Sequence, residues 1–131
     1  MSSCRTSGFS LAETLVALSL IAVTSAAMLP AIAAAGRLQR DSERETAGVR
    51  IAASQIETLI ATRRLSPGGS LDASLDGFFA TVDGTGAVVP AGYAEYECRW
   101  RVSQGAVVLI AVRVVARGGG EVTLSTAVPR E

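Results

Sequence analysis

A chain of 131 residues can enclose one small hydrophobic core but not two. Its apolar share is 49% with only 5% aromatics, so Ala, Val, Leu and Ile must supply the burial. Twelve acidic residues balance twelve basic ones, and histidine is absent. There is thus no basic excess to draw nucleic acid, and the commonest general base and metal ligand is missing.

The apolar residues are concentrated near the N-terminus. Met1 to Ser7 is polar and carries a single Arg5, and Gly8-Phe9-Ser10-Leu11-Ala12-Glu13 follows. From Thr14 to Ala35 there is no charged residue, with Leu15, Val16, Leu18, Leu20, Ile21, Val23, Met28, Leu29 and Ile32 carrying most of the hydrophobicity. About 20 apolar residues cross a bilayer core as helix. On length alone three readings compete: a cleaved secretory signal, a plain membrane anchor, and a prepilin-type segment.

Glu13 separates them. A carboxylate placed centrally in a spanning helix costs about 2.5–3.5 kcal/mol, and less near its boundary. A signal peptide or plain anchor is expected to gain nothing from it. The Gly8-Phe9-Ser10-Leu11-Ala12-Glu13 opening, running straight into the apolar helix, resembles the type IV prepilin cleavage and methylation motif over residues 8 to 30. The resemblance implies that a prepilin peptidase cuts between Gly8 and Phe9 on the cytoplasmic side, releasing residues 1–8 as a leader, and then N-methylates Phe9. It also implies that Glu13 pairs with the Phe9 amine of a neighbouring subunit, as a docking and registry group and not a catalytic one. Two charges in a low-dielectric core need each other, because leaving one unpaired is costly. Pro30 falls where this family often has a helix-breaking proline, so a kink or local melting is expected there, with Gly36 a second weak point. Arg5 set against Arg37, Arg40 and Arg44 favours the opposite orientation by the positive-inside rule. The cleavage motif is taken to override it, with the N-terminus cytoplasmic.

Arg37 to Leu65 reads as an amphipathic continuation of the helix. Val49, Ala52, Ile56, Leu59 and Ile60 form one side, and Arg40, Asp41, Glu43, Arg44, Arg50 and Glu57 the other. At 1.5 Å per residue, Phe9 to Leu65 would span about 85 Å. Ser66-Pro67-Gly68-Gly69-Ser70 ends the helix. Across residues 71–92, Phe78, Phe79 and Val82 suit a short strand or a docked loop. Asp72, Asp76 and Asp83 lack the alternate spacing of a calcium loop and read as solvated.

Beyond that, periodicity of two takes over. Tyr96, Cys98, Trp100 and Val102 alternate with Glu95, Glu97, Arg99 and Arg101. Ser103-Gln104-Gly105 reads as a turn, Val107 to Ala116 as a β-branched strand with Arg113 on the exposed face, and Arg117 to Gly120 as a second turn. Val122, Leu124, Thr126 and Val128 mark a last strand. Trp100 shares the phase of the apolar face and reads as core. Cys98 reads as a small buried hydrophobe; Cys4 leaves with the leader, so no disulfide is expected.

The expected fold is α+β, a long N-terminal helix (transmembrane, then amphipathic) packed on a small antiparallel sheet, the ladle layout of pilins. Its parts are the leader 1–8, a transmembrane and filament-core helix 9–36, an amphipathic continuation 37–65, and a loop plus sheet 66–131 that forms one globular domain with 37–65. No enzyme, catalytic residue, metal site or cofactor is expected. The pattern Trp100-x-Val102, the Val107–Val115 strand and Val122 to Thr126 resembles the small minor pseudopilin of type II secretion called subunit I. That likeness implies a tip or initiation complex that primes a pseudopilus for protein export; the alternative is a minor type IV pilin for pilus assembly, adhesion, twitching motility or DNA uptake. The partners implied are other pilins or pseudopilins through their N-terminal helices, the prepilin peptidase, an inner-membrane assembly platform and lipid, with no direct nucleic acid. The location implied is single-pass in a bacterial inner membrane with the C-terminal domain periplasmic, then a periplasmic or surface filament.

Overall fold

A computed structural model describes residues 10–129. The protein is α+β: one long N-terminal helix, α1 (Leu11–Ala61), followed by a five-stranded antiparallel open sheet. The strands are β1 (Gly68–Gly69), β2 (Phe79–Val82), β3 (Tyr96–Gln104), β4 (Val107–Ala116) and β5 (Glu121–Pro129). The chain divides into two compact units at Gln39/Arg40.

In the first unit, every described residue from Ser10 to Gln39 is exposed. The helix begins at a reciprocal cap: the Ser10 amide donates to Glu13 Oε2 at 3.0 Å and the Glu13 amide to Ser10 Oγ at 3.2 Å. This capping box satisfies two of the amides a helix start leaves open. Pro30 lies inside α1, and the helix is unbroken on either side of it, with no melted turn.

In the second unit, α1 packs against the sheet from Ala47 onward. Ile51, Ala52 and Leu59 pack with Tyr96, Cys98, Trp100 and Val102 of β3 and Val108, Ile110, Val112 and Val114 of β4. The expected strand phases hold, including Trp100 and Cys98 as core residues. The helix face differs in detail: Ile51 and Gly48 are buried, whereas Val49 is 42% and Ile60 38% exposed.

Helix α1 also stops earlier than Leu65. The Arg64 amide bonds the Leu59 carbonyl and the Arg63 amide the Ile60 carbonyl, both at 3.1 Å, with Arg63 left-handed at φ 51°. This is a Schellman termination, which closes the helix by backbone geometry before Pro67 is reached.

The expected meander is present as β3-β4-β5, and two strands are added to it on β3. β2 pairs along Tyr96–Arg99 and β1 along Arg101–Val102, so together they line one edge of β3. Only glycine can make the β1 contact. At Gly69 φ is +88°, and a Cβ there would stand 2.1 Å from the Trp100 carbonyl oxygen. The turn expected at Ser103–Gly105 lies later. β3 runs through Gln104, and the Gly105 amide bonds the Val107 carbonyl at 3.1 Å.

Candidate functional site

Gly8 and Phe9, the expected cleavage and methylation positions, lie outside the described residues. Glu13 and Pro30 are both in α1, at its first turn and within it.

The apolar stretch of α1 is long and apolar enough to cross a membrane, and none of it is buried among the described residues. Leu15, Val16, Leu18, Leu20, Ile21 and Ile32 are each between 59% and 68% exposed. Burying such a side chain is worth about 1.5–3 kcal/mol, so the stretch leaves much apolar surface uncovered among the described residues. Its few hydroxyls are met within the helix. Ser19 Oγ donates to the Leu15 carbonyl at 2.8 Å and Thr24 Oγ1 to the Leu20 carbonyl at 2.9 Å, so neither asks for water.

Glu13 stands at the edge of this stretch with its carboxylate engaged by the Ser10 amide. The cap gives Glu13 a local use that the expectation of no benefit to a plain anchor overlooked. The signal was present as Ser10-x-x-Glu13 ahead of an apolar run. A capping carboxylate and a docking carboxylate differ in one respect: glutamine can serve in the box but carries no charge.

The loop aspartates occupy separate places. Asp83 Oδ1 accepts from the Thr85 hydroxyl at 2.6 Å, the Thr85 amide at 2.8 Å and the Ala87 amide at 3.1 Å. The Thr85 hydroxyl first, then its amide, hold that carboxyl below its ordinary range. Asp72 pairs with Arg113 at 2.7 Å, while its carbonyl accepts from Arg99 at 3.1 Å. Among the described residues no group of three or more His, Cys, Asp or Glu side chains could hold a metal ion.

The outer sheet face is therefore less bare than its alternation implied. Arg99 Nε bonds Glu97 at 2.8 Å, and the Ser74 hydroxyl donates to the same carboxylate. Arg99 above all, then Ser74, lower the Glu97 carboxyl from its ordinary 4.5. These contacts pin the residue 72–74 segment across β3 and β4. Cys98, 1% exposed, faces the core, where burial pushes its thiol up to about 12; it stays protonated and unreactive.

A groove of about 340 Å³ opens where α1 meets the β4–β5 turn. Asp41, Arg44, Glu45 and Glu121 line it above Tyr96 and Val122. Arg44 lies 4.0 Å from Asp41, leaving Glu45 and Glu121 to give the groove its negative balance.

Comparison with protein-family models, with curated proteins and with solved structures finds no match.

Proposed function

We propose that the chain is a type IV pilin-like filament subunit, and specifically a minor pseudopilin of a type II secretion system. The observation that carries this reading is Glu13. It is an acid at the threshold of an uncharged, wholly exposed helical stretch, five positions after Gly8 in the prepilin-type opening. A membrane-entering helix bears that cost where the carboxylate meets a partner charge, and the methylated Phe9 amine of a neighbouring subunit would supply it. The long helix followed by an antiparallel sheet supports the same reading, because a filament subunit needs a core-forming helix and a surface domain.

In this account the prepilin peptidase removes residues 1–8 on the cytoplasmic side of a bacterial inner membrane. The sheet unit is periplasmic, and the apolar helix passes from lipid into the filament core, where Pro30 would let it bend. The pseudopilin assignment rests on the β3–β5 sequence pattern. A minor type IV pilin differs from it in phenotype: deletion would abolish pilus assembly rather than export of folded proteins.

The test separates docking from capping at Glu13. Glu13→Gln retains the box with Ser10 and removes the charge; Glu13→Ala removes both. Both variants should insert in the membrane at wild-type level and fail to join sheared or cross-linked filaments. Assembly by Glu13→Gln at wild-type level would show that the cap is the residue's whole role.

A further inference from the structure

The two edges of the sheet are finished differently. On β3, β1 and β2 occupy the edge, and β2 is itself backed by the 87–89 segment through the Val89 amide bond to the Thr81 carbonyl at 2.9 Å. On β5, no strand among the described residues pairs with the outer side. The Ala116 amide donates to the Gly120 carbonyl, which sets the phase of the β4–β5 ladder. By antiparallel alternation Val122, Leu124, Thr126 and Val128 then bond β4, and the backbone groups of Glu121, Thr123, Ser125 and Ala127 point away from it. Beyond Glu121, from Val122 to Val128, none of the usual edge defences interrupts this row. It has no lysine, no inward charge and no proline before Pro129.

A second feature lies directly above that edge. The helix contacts fix which way α1 is turned: Gly48 meets Val122 of β5, while Arg50 Nη2 bonds the Gly84 carbonyl at 2.8 Å on the opposite side. At 100° per residue, Val49, Ile56 and Ile60 therefore lie on the β5 side of the buried stripe. Val49 and Ile60 are exposed, and Ile56 is half-buried. Beneath them Val122, Leu124 and Val128 are also half-buried. The seam between α1 and β5 is thus apolar, uncovered and bordered by a free row of amides and carbonyls. Its Glu121 end opens into the groove with the negative balance of Glu45 and Glu121.

We propose that this seam binds an extended segment of another protein, which adds to the sheet as a strand antiparallel to β5. Its alternate apolar side chains would lie under Val49, Ile56 and Ile60, and an Arg or Lys near its C-terminal end would reach Glu45 and Glu121. Backbone hydrogen bonds fix the strand, the helix stripe selects the alternation, and the acidic groove fixes direction. An amphipathic helix would leave the β5 amides unmet, so the free backbone row favours a strand. The inference does not depend on the filament reading.

The experiment uses the full chain in detergent micelles and a fluorescent, end-blocked ten-residue peptide of alternating Thr and Val ending in Arg. Anisotropy should show saturable binding, and amide exchange should slow at Thr123, Ser125 and Ala127. Ser125→Pro removes one outward amide and leaves the β4 ladder intact; it should weaken binding about tenfold or more, which is 1.4 kcal/mol. A peptide N-methylated at alternate residues should fail equally, without any change to the protein. Val49→Asp with Ile60→Asp should weaken binding comparably, and Glu121→Arg should shift preference to a peptide ending in Glu. The proposal is overturned by no saturable binding, or by binding indifferent to both Ser125→Pro and N-methylation. Protection of the same amides that rises with protein concentration in the absence of peptide would overturn it too, by assigning the edge to a second copy.

Discussion

One helix serves two regions with opposite needs. Between Leu15 and Ile32 its large side chains are all about three-fifths or more exposed, while between Gly48 and Leu59 the face toward the sheet is closed, with Ala52 at 0%. The first region has apolar residues on every side and is exposed throughout among the described residues. The second has one apolar face, charges on the other, and strands to meet it. Period and distribution separate a stretch that leaves its apolar surface open from one that closes it against its own sheet. Trp100, the single tryptophan, lies in the second region, so its fluorescence reads that unit.

The sharpest contrast comes from equal truncations in the two regions. Ile110→Ala, at a side chain with 0% exposure, should lower the unfolding free energy of the sheet unit by about 2–5 kcal/mol in urea titrations followed by Trp100. Leu20→Ala should leave that transition unmoved, because Leu20 is 61% exposed and belongs to the other unit. A shared loss would mean that the two regions unfold together.

Next comes the edge of β3. Gly69→Ala sets a methyl against the Trp100 carbonyl at a positive φ and should cost about 1–3 kcal/mol by the same titration. Wild-type stability would mean that β1 is not held to β3. Smaller and opposite in sign, Arg63→Gly should raise the unfolding free energy by about 1 kcal/mol, since the left-handed Schellman position strains any residue with a Cβ.

The smallest effect is that of pH on the outer face. Glu97 has a lowered folded value, so its contribution is complete above its unfolded value near 4.5 and is lost as pH falls through the folded one. Because Arg99 and Glu97 are part-exposed, at 22% and 32%, the loss should stay below about 1 kcal/mol. Glu97→Gln should flatten that part of the acid limb, and an unchanged limb would remove Glu97 from the account.

How much of this was legible from residues follows from which forces act through side chains. The apolar run, the alternation of β3 to β5, and the core places of Cys98 and Trp100 were readable because burial selects side-chain type. β1 was not, because Gly68 and Gly69 pair through backbone alone and look like a helix breaker. The early end of α1 was hidden because Arg63 takes a conformation usually given to glycine. The Ser10–Glu13 box was readable, yet a docking role for Glu13 stood in front of it. Val49 and Ile60 fit a helix-period stripe, but only the contacts at Gly48 and Arg50 show that they overhang β5 instead of entering the core.

The most direct test of the filament account is the intact mass of the protein from membranes of cells with and without a prepilin peptidase. The account predicts a species beginning at N-methylated Phe9, lost when the peptidase is absent. A full-length chain, or one cut elsewhere such as after the Ala-rich stretch, would contradict it and make the apolar helix an anchor or a signal.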